Sequence, residues 1–94
     1  MVNFIKVNGK NVGDIKILAL STCGWCKKTK AFFSDHNIEY SYIDLDLLSE
    51  DEVDEAANKW GKYSPGWSLP LIIVNDNEAI IGYDLKTLKR LAGV

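Results

Sequence analysis

A chain of 94 residues with a net charge of −2 is long enough to build one small domain around one core. Apolar residues make up 47% and charged residues 26%, and no basic excess predicts a nucleic-acid partner. The sequence has neither a signal-peptide pattern nor an apolar run near the roughly 20 residues that span a membrane. We therefore expect a single domain over residues 1–94, monomeric and cytoplasmic, with no membrane partner.

The first predicted elements precede the two cysteines. The Asn8-Gly9 pair stands between alternating apolar residues, which is a strong hairpin signal. An N-terminal hairpin or extra strand is therefore expected. Residues 15–20, with the sequence IKILAL, form a nearly continuous apolar run that is typical of a strand buried on both faces.

From Gly24 to about Asp35 the apolar spacing becomes that of a helix. His36 and Asn37 are expected to end it. The spacing predicts one face that packs on the core and one that faces water. Trp25 can share the first face but, lying between the cysteines, is itself expected to be exposed. The other residues of that face are Thr29, Phe32 and Phe33, and the water face comprises Lys27, Lys28, Lys30 and Ser34.

The second half of the chain continues to alternate strands and helices. Residues 39–46 alternate like a strand, and Ser49 is a good cap for a helix that stops at Gly61. A buried strand over 70–76, a turn and a short strand over 78–81 follow, before a last helix capped by Asp84. This order predicts an α/β fold, a mixed central sheet flanked by helices.

Cys23 and Cys26, the only cysteines, follow a buried strand and open a helix. At the N-cap, free backbone N–H groups and the helix dipole favour the thiolate of Cys23. Lys27 and Lys28 can add positive potential. Cys26 lies almost one turn further, nearer the core, with its sulfur within reach of a disulfide. The pair is therefore predicted to be catalytic, with Cys23 as the attacking thiol and Cys26 as the resolving thiol.

A metal site and a structural disulfide are the competing interpretations of the two cysteines. A tetrahedral zinc site needs four ligands, whereas one chain offers two cysteines and His36. A metal- or cluster-binding module that dimerises through Cys23 would complete the set. A permanent disulfide is unusual in a reducing compartment. The redox interpretation is preferred, and no metal ligand is assigned.

Three motifs give the chain a resemblance to the glutaredoxins of the thioredoxin superfamily. CGWCKKTKAFF, from Cys23, resembles the family's Cys-Pro-Tyr-Cys and the helix that follows. SLP, at 68–70, is similar to its Thr-Val-Pro, whose proline is cis, and IGYD, at 81–84, to its Gly-Gly-x-Asp. The resemblance implies a thioredoxin fold and a thiol–disulfide oxidoreductase that needs no bound cofactor.

The resemblance also implies a substrate site around the cysteines. The backbone of Leu69, beside a cis Pro70, would pair with an extended substrate or with glutathione. Tyr83 and Asp84, at a helix start, would hold the γ-glutamyl carboxylate of glutathione. Asp84 has an equally good interpretation as an ordinary helix cap.

Two further residues complete the predicted substrate site. Trp25, between the cysteines, is a candidate contact for a partner, and Lys27 is a candidate contact for the glycyl carboxylate of glutathione.

Departures from the family pattern leave the electron source open. Gly24-Trp25 replaces Pro-Tyr, Ile81 replaces a glycine, and Leu20 stands where many glutaredoxins place a lysine. The expected function is reduction of disulfides in proteins or small molecules, with electrons from glutathione or from a thioredoxin-reductase-like flavoenzyme. A glutathione-independent donor to a reductase, like thioredoxin, is the alternative within the same chemistry.

Overall fold

A computed structural model describes residues 2–93 and contains one five-stranded sheet with three α-helices. The strands are β1 Ile5–Val7, β2 Ile15–Ala19, β3 Tyr40–Asp44, β4 Leu71–Val74 and β5 Glu78–Ile81. The helices are α1 Gly24–Asp35, α2 Glu50–Trp60 and α3 Leu85–Ala92. Single 3₁₀ turns follow β3, over Leu45–Leu47, and α2, over Gly61–Tyr63.

The sheet is mixed and has the strand order β1-β3-β2-β4-β5. Strands β2 and β3 are parallel and connected through α1, whereas the other three pairs are antiparallel. The predicted mixed sheet is therefore confirmed. The carboxyl ends of β2 and β3 lie at one edge of the sheet, and the chain enters α1 from this edge.

The two faces of the sheet carry two hydrophobic clusters. On one face, Phe33 of α1 and Leu88 of α3 pack with residues that include Ile17. On the other face, Ala56 of α2 packs with residues that include Leu18. Because side chains alternate along a strand, the apolar run in β2 supplies both clusters. The prediction that this strand is buried on both faces is thus confirmed.

The helix ends follow the predicted capping residues. Ser49 forms a capping box, in which its hydroxyl accepts from the N–H of Glu52 at 3.2 Å and the Glu52 carboxylate accepts from the N–H of Ser49 at 3.0 Å. Asp84 caps α3, and Gly93 ends it in the left-handed conformation with φ 75°. Helix α2 ends before Gly61 as predicted, and the chain adds one 3₁₀ turn there.

The predicted N-terminal hairpin is wrong, whereas the alternative of an extra strand is confirmed. Strand β1 pairs with β3 and not with β2. Gly9 instead lets the chain pass close to the segment after α1. A Cβ atom on Gly9 would lie 2.7 Å from the carbonyl oxygen of Asn37 and 2.8 Å from the nitrogen of Glu39. The glycine therefore serves a close backbone approach rather than a tight turn.

The predicted faces of α1 need one correction. The buried residues of the helix are Cys26, Thr29, Phe32 and Phe33, and Trp25 is 57% exposed, as expected for a residue between the two cysteines. Lys30 does not face water, since its side chain is only 18% exposed and pairs with Asp44 at 2.8 Å. This error arises at the edge of the apolar stripe, where helical spacing does not decide what the neighbouring loops and strands cover.

Candidate active site

The local backbone places Cys23 at the N-cap of α1, as predicted. A turn closed by the hydrogen bond from Cys23 N–H to the Leu20 carbonyl, at 3.1 Å, carries the chain from β2 into the helix. Cys23 has the extended conformation typical of an N-cap, with φ −81° and ψ 117°. Its Sγ accepts a hydrogen bond from the backbone N–H of Cys26 at 3.2 Å. A thiolate at this position is therefore solvated by the end of the helix.

The two thiols are close together but differ in exposure and in acidity. Both are free, Cys23 is partly exposed and Cys26 is completely buried. Desolvation works against the Cys23 thiolate, yet hydrogen bonds from Cys26 and from the N–H of Trp25 outweigh it and lower the pKa of Cys23. Burial, followed by the hydrogen bond and charge of Cys23, raises the pKa of Cys26 to about 12.

The positive charge that acts on both thiols belongs to Lys30. It favours the thiolate of Cys23 and that of Cys26, and so lowers the pKa of each. Its Nζ lies 2.8 Å from Asp44 and 4.1 Å from the ring centroid of Tyr42. Lys28, predicted to assist Cys23, instead lies over the ring of Trp25 at 4.7 Å. Lys27 is exposed on α1, and its predicted contact with a substrate stays a prediction.

The Leu69–Pro70 segment passes from the α2 side of the sheet into β4. Its peptide bond is cis, as the resemblance implied. Pro70 is fully buried, and Leu69 is partly buried and packs against both hydrophobic clusters. The Pro70 carbonyl accepts from Gly82 N–H at 2.8 Å, which joins this segment to the end of β5. The predicted pairing of Leu69 with a substrate stays a prediction.

The rings of Trp25 and Tyr83 stack on each other next to the cysteine pair. Their ring centroids lie 5.4 Å apart with planes inclined at 29°. The stack connects the start of α1 to the loop between β5 and α3. Asp84, the next residue, accepts from Lys86 N–H at 3.2 Å and from the Thr87 hydroxyl at 2.7 Å. It is thus a helix cap, and the hydrogen bond from Thr87 lowers its pKa.

Two polar contacts near the site have no signal in the sequence. The Asp46 carboxylate accepts from the N–H of Ser21 at 2.9 Å and also from its hydroxyl. Further along, the Ser64 hydroxyl accepts from Ser68 N–H at 2.8 Å and donates to the Ser68 carbonyl at 3.1 Å, which closes the loop before Leu69. The pairing of Ser21 with Asp46 joins residues 25 positions apart, so no local pattern reveals it.

The histidine considered for a metal site lies elsewhere. His36 Nδ1 is 2.9 Å from the Phe32 carbonyl oxygen, and its ring packs on that of Phe32 with centroids 4.2 Å apart. Within residues 2–93, no group of three or more His, Cys, Asp or Glu side chains is arranged to hold a metal ion. Over the same residues, no helix combines the length and apolarity that a membrane span requires.

A mixed five-stranded sheet, a Cys-x-x-Cys pair at the start of its first helix and a cis-proline before β4 define a thioredoxin-fold redox protein. The family model for glutaredoxin matches residues 6–79, and the chain belongs to the glutaredoxin family.

Individual relatives agree with this assignment. The chain is 30% identical over 77 residues to a glutaredoxin-like 8.6 kDa protein in the rubredoxin operon of Clostridium pasteurianum, covering 82% of this chain and 95% of that protein. The glutaredoxin of Methanosarcina mazei is 33% identical with a TM-score of 0.86, covering 99% of this chain and 90% of that one. Methanoredoxin of Methanosarcina acetivorans is 37% identical with a TM-score of 0.85, covering 92% and 90%.

Proposed function

We propose that this protein is a dithiol oxidoreductase that reduces disulfides of proteins or small molecules, with Cys23 as nucleophile and Cys26 as resolving thiol. The observation that carries the proposal is the pair's geometry. The Cys23 sulfur is partly exposed and accepts the Cys26 N–H at 3.2 Å, while the Cys26 thiol lies buried behind it. An exposed thiolate with a shielded partner suits attack followed by resolution.

The first step uses the thiolate of Cys23. It attacks one sulfur of the substrate disulfide, the substrate S–S bond breaks, and the leaving thiolate takes a proton from solvent. The product is a mixed disulfide between Cys23 and the substrate. Because its pKa is lowered, Cys23 is also the better leaving group when this mixed disulfide is resolved.

The second step begins when Cys26 loses its proton. In the free dithiol the hydrogen bond and charge of Cys23 help to raise the Cys26 pKa. Both influences end once the Cys23 sulfur is bonded to substrate, so Cys26 becomes more acidic at this stage. Its thiolate attacks Cys23, a Cys23–Cys26 disulfide forms, and the second substrate sulfur leaves with the proton. Two electrons have then passed from the dithiol to the substrate.

Trapping the mixed disulfide tests this assignment. Cys26→Ser should accumulate a stable adduct with a peptide disulfide, detected by intact-protein mass spectrometry, whereas Cys23→Ser should form none and lose disulfide reduction. The double variant is the matched control for non-specific adducts. Stable adducts on Cys26 in the Cys23→Ser variant, with none in the reverse case, would show that the roles are exchanged.

We propose glutathione as the electron source. We expect its turnover to be slow because the side chain of Ile81, which replaces a glycine, crowds the place beside Tyr83 where glutathione would bind. Ile81 is 51% exposed at the end of β5 and precedes Gly82, whose φ is 88°. We expect Ile81→Gly to raise glutathione-dependent turnover of a small mixed disulfide several-fold. Ile5→Gly is the matched control, since Ile5 is 55% exposed on the opposite edge strand.

A reductase comparison checks the electron source directly. Oxidised protein is offered glutathione with glutathione reductase, or NADPH with thioredoxin reductase, and NADPH consumption is followed. Reduction by the second system alone, together with no gain from Ile81→Gly, would replace glutathione by a flavoenzyme as the electron donor. The roles of the two thiols would be unaffected by that result.

A further inference from the structure

The Asp46 carboxylate is fixed on the turn that precedes the cysteine pair. Asp46 belongs to the 3₁₀ turn Leu45–Leu47, directly after β3. Its two oxygens accept from the backbone N–H of Ser21, at 2.9 Å, and from the Ser21 hydroxyl. One exposed acid thus takes both donors of a single residue, in a two-point contact that fixes orientation as well as distance.

Ser21 lies inside the turn that determines where the Cys23 sulfur points. The turn is closed by the 3.1 Å hydrogen bond from Cys23 N–H to the Leu20 carbonyl. Cys23 leaves it in the N-cap conformation that lets Sγ accept the Cys26 N–H. A change in the turn would therefore change the hydrogen bond that stabilises the thiolate.

We propose that Asp46 is a positioning residue of the active site, which acts through Ser21 to hold the turn in the geometry that places the Cys23 sulfur on the end of α1. This inference deepens the proposed function and rests on it for its relevance to disulfide reduction. Asp46 touches neither thiol in the interactions described above, so its influence runs through the backbone of residues 20–23.

Any effect of the Asp46 charge on Cys23 would oppose the effect of its hydrogen bonds to Ser21. A carboxylate near a thiolate disfavours it and raises the thiol pKa. Lys30, the nearby cation, has the reverse effect. Removing Asp46 should therefore lower the pKa of Cys23 if charge alone matters, and raise it if the held turn matters. The hydrogen bonds from Ser21 lower the pKa of Asp46, so it stays ionised throughout the titration of Cys23.

The test measures the pKa of Cys23 in the Cys26→Ser background, from thiolate absorbance and from the pH dependence of iodoacetamide alkylation. Asp46→Ala removes both hydrogen bonds. Asp46→Asn removes the charge, while its amide can still accept from Ser21 N–H and donate to the Ser21 hydroxyl. Ser21→Ala removes half of the contact. Asp51→Ala, on the exposed start of α2, is the control for the loss of one negative charge.

We expect Asp46→Ala to raise the Cys23 pKa by about half a unit, which lowers alkylation below the pKa about threefold. Ser21→Ala should raise it less, and Asp46→Asn and Asp51→Ala should leave it at or below its original value. The proposal is overturned if Asp46→Ala leaves the pKa unchanged or lowers it, or if Asp46→Asn raises it equally. Alkylation does not depend on disulfide reduction, so this result is independent of whether the proposed function holds.

Discussion

A partly buried lysine forms an ion pair at each end of the sheet, but only one of the two lysines is seen to lower the pKa values of the thiols. At the start of β2, Lys16 pairs with Asp14 and Asp76, and its side chain is 21% exposed. At the other end, Lys30 pairs with Asp44 and is 18% exposed. Each lysine is thus partly buried and paired with aspartate, but the aspartates differ in exposure.

The partners of the two lysines differ in their exposure to water. Asp14 and Asp76 are 50% and 69% exposed, whereas Asp44 is only 12% exposed. Burial works against the charge of Lys16, but its hydrogen bonds to both acids outweigh burial and raise its pKa. Lys30 lowers the pKa of both cysteines. The shielded charge pair beside the thiols therefore adds a minor contribution that lowers the pKa of both, after the hydrogen bonds that act in the same direction.

The largest expected difference between the two ends of the sheet is in how the free energy of unfolding changes at alkaline pH. The Cys26 pKa is about 12 in the folded protein against an ordinary value of 9.0. Between these values the unfolded chain releases the proton and the folded chain keeps it, so stability falls as pH rises, by up to about 4 kcal/mol. Lys16, whose pKa is raised, adds stability that is lost only as pH rises above 10.5.

Urea denaturation of reduced and oxidised protein from pH 8 to 12 measures this. In the oxidised protein Cys26 has no proton to lose, and only the Lys16 contribution should remain. Equal alkaline losses in the two redox states would contradict the assignment to Cys26.

The two lysines should also differ in what they contribute to stability. Lys30→Met leaves the shielded Asp44 without its cation, and we expect a loss of about 1–3 kcal/mol. Lys16→Met leaves two acids that water can reach, and we expect less than about 1 kcal/mol. Urea denaturation at pH 7 gives both values. The reverse order would show that exposure of the partners does not govern the cost.

At the Lys16 end of the sheet, we expect one hydrogen bond to contribute more to stability than the ion pairs do. Asn75 Oδ1 accepts from Asp14 N–H at 2.9 Å, and Asn75 has a left-handed φ of 54°. We expect Asn75→Ala to cost about 1 kcal/mol or slightly more, with no change in Cys23 alkylation. Asn75→Gly keeps the backbone conformation accessible and isolates the hydrogen bond. A changed alkylation rate would mean that the two ends are coupled.

The smallest expected effect is on the pKa of Cys23, which should shift in opposite directions when Lys30 or Asp44 loses its charge. Lys30→Met should raise its pKa and Asp44→Asn should lower it, each by about half a unit, because one variant removes a cation and the other an anion. Lys16→Met is the matched control and should not change it. Shifts in the same direction for Lys30→Met and Asp44→Asn would show that packing, rather than charge, carries the influence of the pair.

Features decided within a few residues could be predicted from the sequence. The Ser49 cap, the N-cap placement of Cys23 and the doubly buried β2 each depend on residues within one short segment. The order of strands and helices then predicts the mixed sheet. The Cys-x-x-Cys motif needed no long-range information, because one helical turn alone brings the two sulfurs together.

Features that depend on distant segments could not be predicted. The Asn8-Gly9 pair is typical of a hairpin, but its glycine is needed against residues 37–39. The side chain of Lys30 is directed by Asp44 on a strand, and that of Ser21 contacts an acid beyond the same strand. Six substrate contacts stay predictions, those assigned to Trp25, Lys27, Leu69, Pro70, Tyr83 and Asp84.

The self-closed loop at Ser64 has a consequence for engineering the protein. Because the Ser64–Ser68 hydrogen bonds and the 2.8 Å bond from Trp67 N–H to the Ser64 carbonyl fix the base of the loop, its tip carries little of the fold. Pro65 and Gly66 at that tip are exposed, and a Cβ atom on Gly66 would meet open space. A peptide inserted between them would project from the loop that leads into the cis-proline. The tip is therefore a natural attachment point for a docking tag that changes which disulfide proteins reach Cys23.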